Sequence, residues 1–192
     1  MSRRAFMGAS ALALGGIVTG AVSRPAPFVT RGVVLYPFDL TLAEWPELAH
    51  RAGLTTIALH AARHVDVLVH YLQTDEGRAF LRRCRRLGLE VEYELHAMGD
   101  LLSREYFYRD PTMFRQNKEG RRVEDYNCCP SSRSALEIIG ERALEIAKTL
   151  RPSSHRYFYW PDDGREWCAC GRCRGFTASE QSLLVGNHLL RV

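Results

Sequence analysis

From Arg31 onward, short apolar runs alternate with amphipathic stretches, a spacing that predicts parallel strands joined by helical crossovers. Val33 to Phe38 reads as a first strand. Thr41, with Glu44 three residues on, reads as the cap of a helix whose Leu42, Trp45, Leu48 and Ala49 share one side and which Gly53 closes. Leu54 to His60 is a second strand, and Val65 to Gln73 a short helix. Thr74 opens another helix, in which Phe80, Leu81, Cys84 and Leu87 line one side, Arg78, Arg82, Arg83, Arg85 and Arg86 line the other, and Gly88 ends the run.

The third strand, Leu89 to Leu95, alternates strictly: Leu89, Val91, Tyr93 and Leu95 on one face, Glu90, Glu92, Glu94 and His96 on the other. A connection from Ala97 to Pro130 exceeds the usual ~12 to 15 residues and suggests a functional loop. Ser132 or Ser134 then opens a helix through Leu150 that Pro152 stops, Arg156 to Trp160 is a fourth strand, and a last amphipathic segment runs from Ala178 to Val192. Four strand and helix units are half of a closed eightfold barrel, which typically takes ~250 residues. The expected fold is therefore α/β, a partial (β/α) TIM-type barrel over residues 31–192, its N-terminal half; a four-stranded open sheet is the competing architecture. No Gly-x-Gly-x-x-Gly follows a strand, so a dinucleotide site has no support.

In parallel barrels the working residues lie at the C-terminal ends of the strands. Those ends carry Asp39, His60, Glu94 with His96, and Asp162 with Asp163. Carboxylates from two strands over an aromatic mouth suit glycosidic bond cleavage, in which one protonates the leaving oxygen and the other attacks or activates water. Asp162 or Asp163 is the candidate acid and Glu94 its partner, with His60, His96, Trp160 and Trp167 as candidate substrate contacts. Pro161-Asp162-Asp163-Gly164 is equally good turn chemistry. Tyr106, Phe107, Tyr108 and Phe114 read mainly as packing.

Of six cysteines, Cys84 fits the buried side of its helix, while Cys168, Cys170 and Cys173 cluster between glycines. With a fourth ligand from Cys129 or Cys128, they suit one tetrahedral ion, and a closed four-sulfur site points to structural zinc. Disulfides, free thiols and an iron-sulfur cluster are the other uses of these residues.

The basic excess of 26 Lys+Arg over 22 Asp+Glu is spread along the chain, with only Lys118 and Lys148 as lysines, which argues against nucleic acid. Arg3 and Arg4 precede sixteen uncharged residues, Met7 to Val22, four of them glycine. That falls short of the ~20 apolar residues of a membrane span. Residues 1–23 resemble a twin-arginine export signal, with 24–30 as a linker, which implies a periplasmic or extracellular protein that folds before it crosses the membrane.

Glu94-Leu95-His96, Asn127-Cys128-Cys129-Pro130, Tyr159-Trp160-Pro161-Asp162-Asp163, Cys168-Ala169-Cys170-Gly171-Arg172-Cys173 and Asn187 together resemble a bacterial family. It comprises exported domain-of-unknown-function proteins related to glycoside hydrolases, with alpha-glucuronidases and hexosaminidases among the related barrels. The resemblance implies a barrel that acts on or binds a polysaccharide or oligosaccharide, with Asp163 or Asp162 matching the strand-end acid. Family members continue past the fourth unit, so this chain is expected to be a fragment or to self-associate, and to be inactive as a lone half-barrel. A non-catalytic carbohydrate-binding or structural module with a four-cysteine metal site is the second functional class.

Overall fold

A computed structural model describes residues 28–61, 64–125, 127–162 and 164–192; residues 1–23, expected to be an export signal, and most of the expected linker lie outside them. The strands are β1 (Gly32–Leu35), β2 (Thr56–His60), β3 (Glu90–His96) and β4 (Tyr157–Trp160). The helices are α1 (Trp45–Arg51), α2 (Val65–Gln73), α3 (Asp75–Arg86), α4 (Ala97–Leu101), α5 (Arg133–Ala147) and α6 (Ala178–Leu189). All strand neighbours are parallel and the sheet order is β1-β2-β3-β4, the order of the chain.

That order never reverses, so crossovers of the usual right-handed sense place their helices on one face of the sheet. Burial follows suit. Leu35, Ile57, Leu59, Val91, Tyr93 and Leu95 join Leu68, Leu72, Phe80, Cys84, Ile139 and Ile146 in one apolar core. The alternate positions, Val34, Ala58, Glu92, Glu94 and Phe158, share the other face across the register and are not members of that core. The sheet is open, with β1 and β4 as its edges, so four strands of a mixed α/β fold are present and closure into a barrel is not.

Local chemistry sets the element boundaries. The Thr74 hydroxyl accepts the Gly77 amide at 3.1 Å and caps α3. Gly77 packs so tightly into the α2–α3 corner that a Cβ there would overlap the Tyr71 carbonyl oxygen and lie 2.7 Å from the Leu72 Cα. Ser132, not Ser134, caps α5, and Thr177 with Glu180 forms a reciprocal capping box on α6.

Three expectations need correction. The first helix begins at Trp45, because Thr41 belongs to a separate 3₁₀ turn (Asp39–Thr41) in which its hydroxyl donates to the Phe38 carbonyl at 2.9 Å. Pro46 sits in the first turn of α1, where its missing N–H costs nothing. α5 ends at Ala147, five residues before Pro152. The connection after β3 is also far from structureless, holding α4, 3₁₀ turns at Arg104–Tyr108 and Pro111–Met113, and a small antiparallel hairpin with bridges Phe114↔Cys128 and Gln116↔Arg122.

Candidate metal centre and strand-end site

The hairpin is the lever that brings the fourth cysteine to the other three. The Asn117 amide donates to the Arg121 carbonyl at 2.9 Å, and Gly120 turns the chain with a φ of 80° that suits glycine. Neighbouring residues on an extended segment point to opposite sides. Cys128 accordingly faces inward, its sulfur 3.8 Å from the Met98 sulfur, while Cys129 faces the cysteine loop.

The sulfurs of Cys129, Cys168, Cys170 and Cys173 all lie within 4.8 Å of one another, and all four residues are buried. Cys129 is 3.7 Å from Cys173 and 3.9 Å from Cys170. A tetrahedral zinc with Zn–S bonds of ~2.3 Å requires sulfurs ~3.8 Å apart. All six cysteines are free thiols, so the disulfide alternative is not the arrangement seen. A hydrogen bond from Cys168 holds the Cys129 thiol below its usual range, and the same bond, with burial, pushes Cys168 up to about 12. Burial also raises Cys173. Cys129 is thus the readiest of these thiols to ionise, and a shared dication would permit all four to do so.

The groups around the sulfurs are fixed independently. The Gln116 amide donates to the Cys168 sulfur at 3.3 Å and Arg122 Nη1 does so at 3.8 Å, while the Ser131 hydroxyl lies 3.1 Å from the Cys173 sulfur. From α6, the buried Gln181 accepts the Cys168 amide at 3.0 Å and donates to the carbonyls of Cys168, Cys173 and Phe176 at 3.1 to 3.3 Å. Asn127 holds the approach to the loop by donating to the Glu166 carbonyl at 2.9 Å and the Arg165 carbonyl at 3.3 Å. Arg115 ties Asp125 to Glu166. The segment between β4 and the cysteines is therefore held from the hairpin.

At the C-terminal ends of the strands, His60, His96 and Trp160 come together. The His60 ring is 5.0 Å from His96 and 5.2 Å from Trp160, and Tyr36, just past β1, meets it edge-on at 5.1 Å. His60 is buried, with Nδ1 3.0 Å from the Glu94 carbonyl oxygen. His96 Nδ1 lies 3.3 Å from the Pro161 carbonyl oxygen. Trp160 and Tyr36 remain 36% and 47% exposed, which leaves ring surface for a ligand.

Glu94 lies on the same sheet face as His60 and Phe158, its register neighbours. Burial, helped by Glu92, raises its carboxyl pKa. Glu92 itself pairs with Arg156. Asp162 is buried, its Oδ2 accepting the Gly99 amide at 2.9 Å; Asp163 lies outside the described residues. Trp167 lines a groove with Pro161, Ala178, Ser182 and Leu183, and among the described residues no ring contact joins it to the His60 cluster. Phe114 is fully buried against Phe107, as packing.

Tyr36, Asp100, Arg122 and Gln181 escaped the sequence reading. Both Asp100 oxygens are withdrawn from solvent, and burial, with Asp162 nearby, pushes its pKa up to about 6. Tyr36 continues the Val34 face and was detectable by alternation; Gln181 betrays itself as a polar residue four before the buried Val185. Among the described residues, no helix is long and apolar enough to cross a membrane. Comparison with family models, curated proteins and solved structures returned no match.

Proposed function

We propose that this is an exported, glycoside-hydrolase-like α/β domain that binds and acts on a polysaccharide across the C-terminal ends of its strands, with a structural zinc at its four cysteines. In this reading the sheet is a barrel segment. Support comes from its unreversed parallel order and from the polar side chains on the face away from the helices. The observation that carries the functional reading is the convergence of Tyr36, His60, His96 and Trp160 beside the strand-end carboxylates.

Trp160 and Tyr36 offer exposed ring surface on which a sugar can stack. Glu94 has the raised pKa of a proton donor, and a second carboxylate is then needed to attack or to activate water. Because Asp162 is turned inward onto the Gly99 amide, Asp163 takes the catalytic role and Asp162 anchors its loop. This exchanges the acid and partner roles expected from sequence. The zinc would be held by Cys129, Cys168, Cys170 and Cys173; it supplies no chemistry to the sugar and fixes the segment that follows β4.

The test is titration of zinc-loaded protein with a panel of neutral and uronic-acid oligosaccharides, read by tryptophan fluorescence and by release of reducing ends. Saturable binding that Trp160→Ala weakens at least tenfold, with turnover lost in Glu94→Gln but binding kept, is the expected result. No saturable response to any member of the panel would overturn the reading; binding unaffected by Trp160→Ala would move the site elsewhere.

A further inference from the structure

We propose that Arg122 is a positioning residue of the metal centre: its guanidinium is the fixed positive charge that stabilises the four-thiolate site once a divalent ion has entered. The inference rests on the metal reading above and concerns a residue outside the ligand set.

Four thiolates around one dication leave a net double negative charge in a buried pocket. Removing such a charge from water is costly unless donors and cations face the sulfurs. The neighbours are few and specific. The neutral groups at the sulfurs include the Gln116 amide, the Ser131 hydroxyl and the backbone amides of Ser131 and Cys170, and Arg122 is a cation that reaches the sulfurs, 3.8 Å from that of Cys168. Arg172 and Arg174 belong to the cysteine loop itself but are exposed, so water screens them.

The placement of Arg122 is built into the hairpin. It pairs across the turn with Gln116, and the same Nη1 that faces the Cys168 sulfur at 3.8 Å also donates to the Phe114 carbonyl at 2.6 Å. That second bond fixes where the guanidinium sits before any ion arrives. One hairpin thus delivers an amide and a cation to Cys168 and, at its end, the ligand Cys129. A groups-in-place arrangement of this kind is worth 10- to 100-fold in metal affinity at other centres, where outer partners orient and stabilise the ligands.

The experiment measures zinc affinity by competition with a chromophoric chelator in the full chain, together with the visible spectrum of the cobalt-substituted protein. Arg122→Met removes the charge and keeps much of the bulk; Arg122→Lys keeps the charge. Expected are about 10- to 100-fold weaker zinc binding in Arg122→Met, a smaller loss in Arg122→Lys, and an unchanged thiolate-to-cobalt spectrum in both. Arg122→Met within about threefold of wild type would overturn the proposal, as would Arg122→Lys no better than Arg122→Met. A changed cobalt spectrum in Arg122→Met would also overturn it, because the sulfur geometry and not the charge would then have been lost. A wild-type chain that takes up neither metal removes the metal reading itself, a failure distinguishable from these.

Discussion

Replacing Asp100 by Asn should stabilise the protein near neutral pH and leave it unchanged in acid. Asp100 follows β3 in α4, with both oxygens out of solvent, facing Asp162, His96, His64 and the amide of Val65. Burial moves its pKa from the ordinary 3.8 to about 6. The native state therefore holds a proton that the unfolded chain has already released, and stability falls as pH rises from about 4 to about 6. A shift of roughly two units at ~1.4 kcal/mol each gives close to 3 kcal/mol, which residual solvent access reduces to about 2 kcal/mol. Asparagine stays neutral throughout and so carries no charge to desolvate. Urea unfolding of both proteins, with zinc held constant, should show Asp100→Asn more stable by about 2 kcal/mol near pH 7.5 and equal to wild type near pH 4. A variant less stable than wild type near pH 7.5, or a difference that ignores pH, would refute the reasoning and make the charged carboxylate a satisfied structural group.

Gly77→Ala should cost about 3 kcal/mol, because the added methyl must displace the backbone of Tyr71 and Leu72, where no flexible side chain can yield; chemical denaturation reads this directly, and a loss under 1 kcal/mol would deny the tight corner. Gln181→Leu should leave the Cys168 amide without its acceptor and take a donor from three loop carbonyls, weakening zinc binding and speeding amide exchange over the cysteine loop while the strands stay protected. Unchanged exchange in that loop would show that the sulfurs converge without Gln181. Cys128→Ala should keep full zinc content, because its sulfur faces Met98, whereas Cys129→Ser should lose most of it, as metal analysis of the purified variants would show.

Sequence pattern was most informative where one period ran undisturbed. The bounds Val65–Gln73 of α2 are those that periodicity suggests, and the strict alternation of β3 places Val91, Tyr93 and Leu95 in the core. It misled at α1. There Thr41 and Glu44 have the spacing of a capping box, yet Tyr36 to Thr41 is occupied by a turn in which Asp39 accepts the Tyr36 amide at 2.8 Å. Short turns were invisible for a related reason: one turn of helix shows no hydrophobic repeat, so α4 and the two 3₁₀ turns left no periodic trace.

The four clustered cysteines show what spacing can and cannot supply. Three cysteines within six residues announce a site, but Cys128 and Cys129 are indistinguishable until the Phe114↔Cys128 bridge fixes which one faces the loop. The groups that support them, Gln116, Arg122 and Gln181, come from a hairpin and a helix that meet only in three dimensions. At the strand ends, Trp160 and Trp167 look alike beside the acidic pair, yet only Trp160 joins the histidine cluster; Trp167 lies in the groove along α6. Exposure of Glu92 and Glu94, the simple expectation for an acidic strand face on an open sheet, is likewise absent: both are buried, and Glu92 is matched by Arg156.

The four-cysteine cluster ties these observations together, since it joins the hairpin, the segment after β4 and α6 at one point. Zinc-edge X-ray absorption on protein purified without chelator tests it most directly. One zinc per chain in a single shell of four sulfurs at about 2.3 Å is expected. Protein without zinc, or a shell containing nitrogen or oxygen in place of a sulfur, would contradict a centre built from Cys129, Cys168, Cys170 and Cys173.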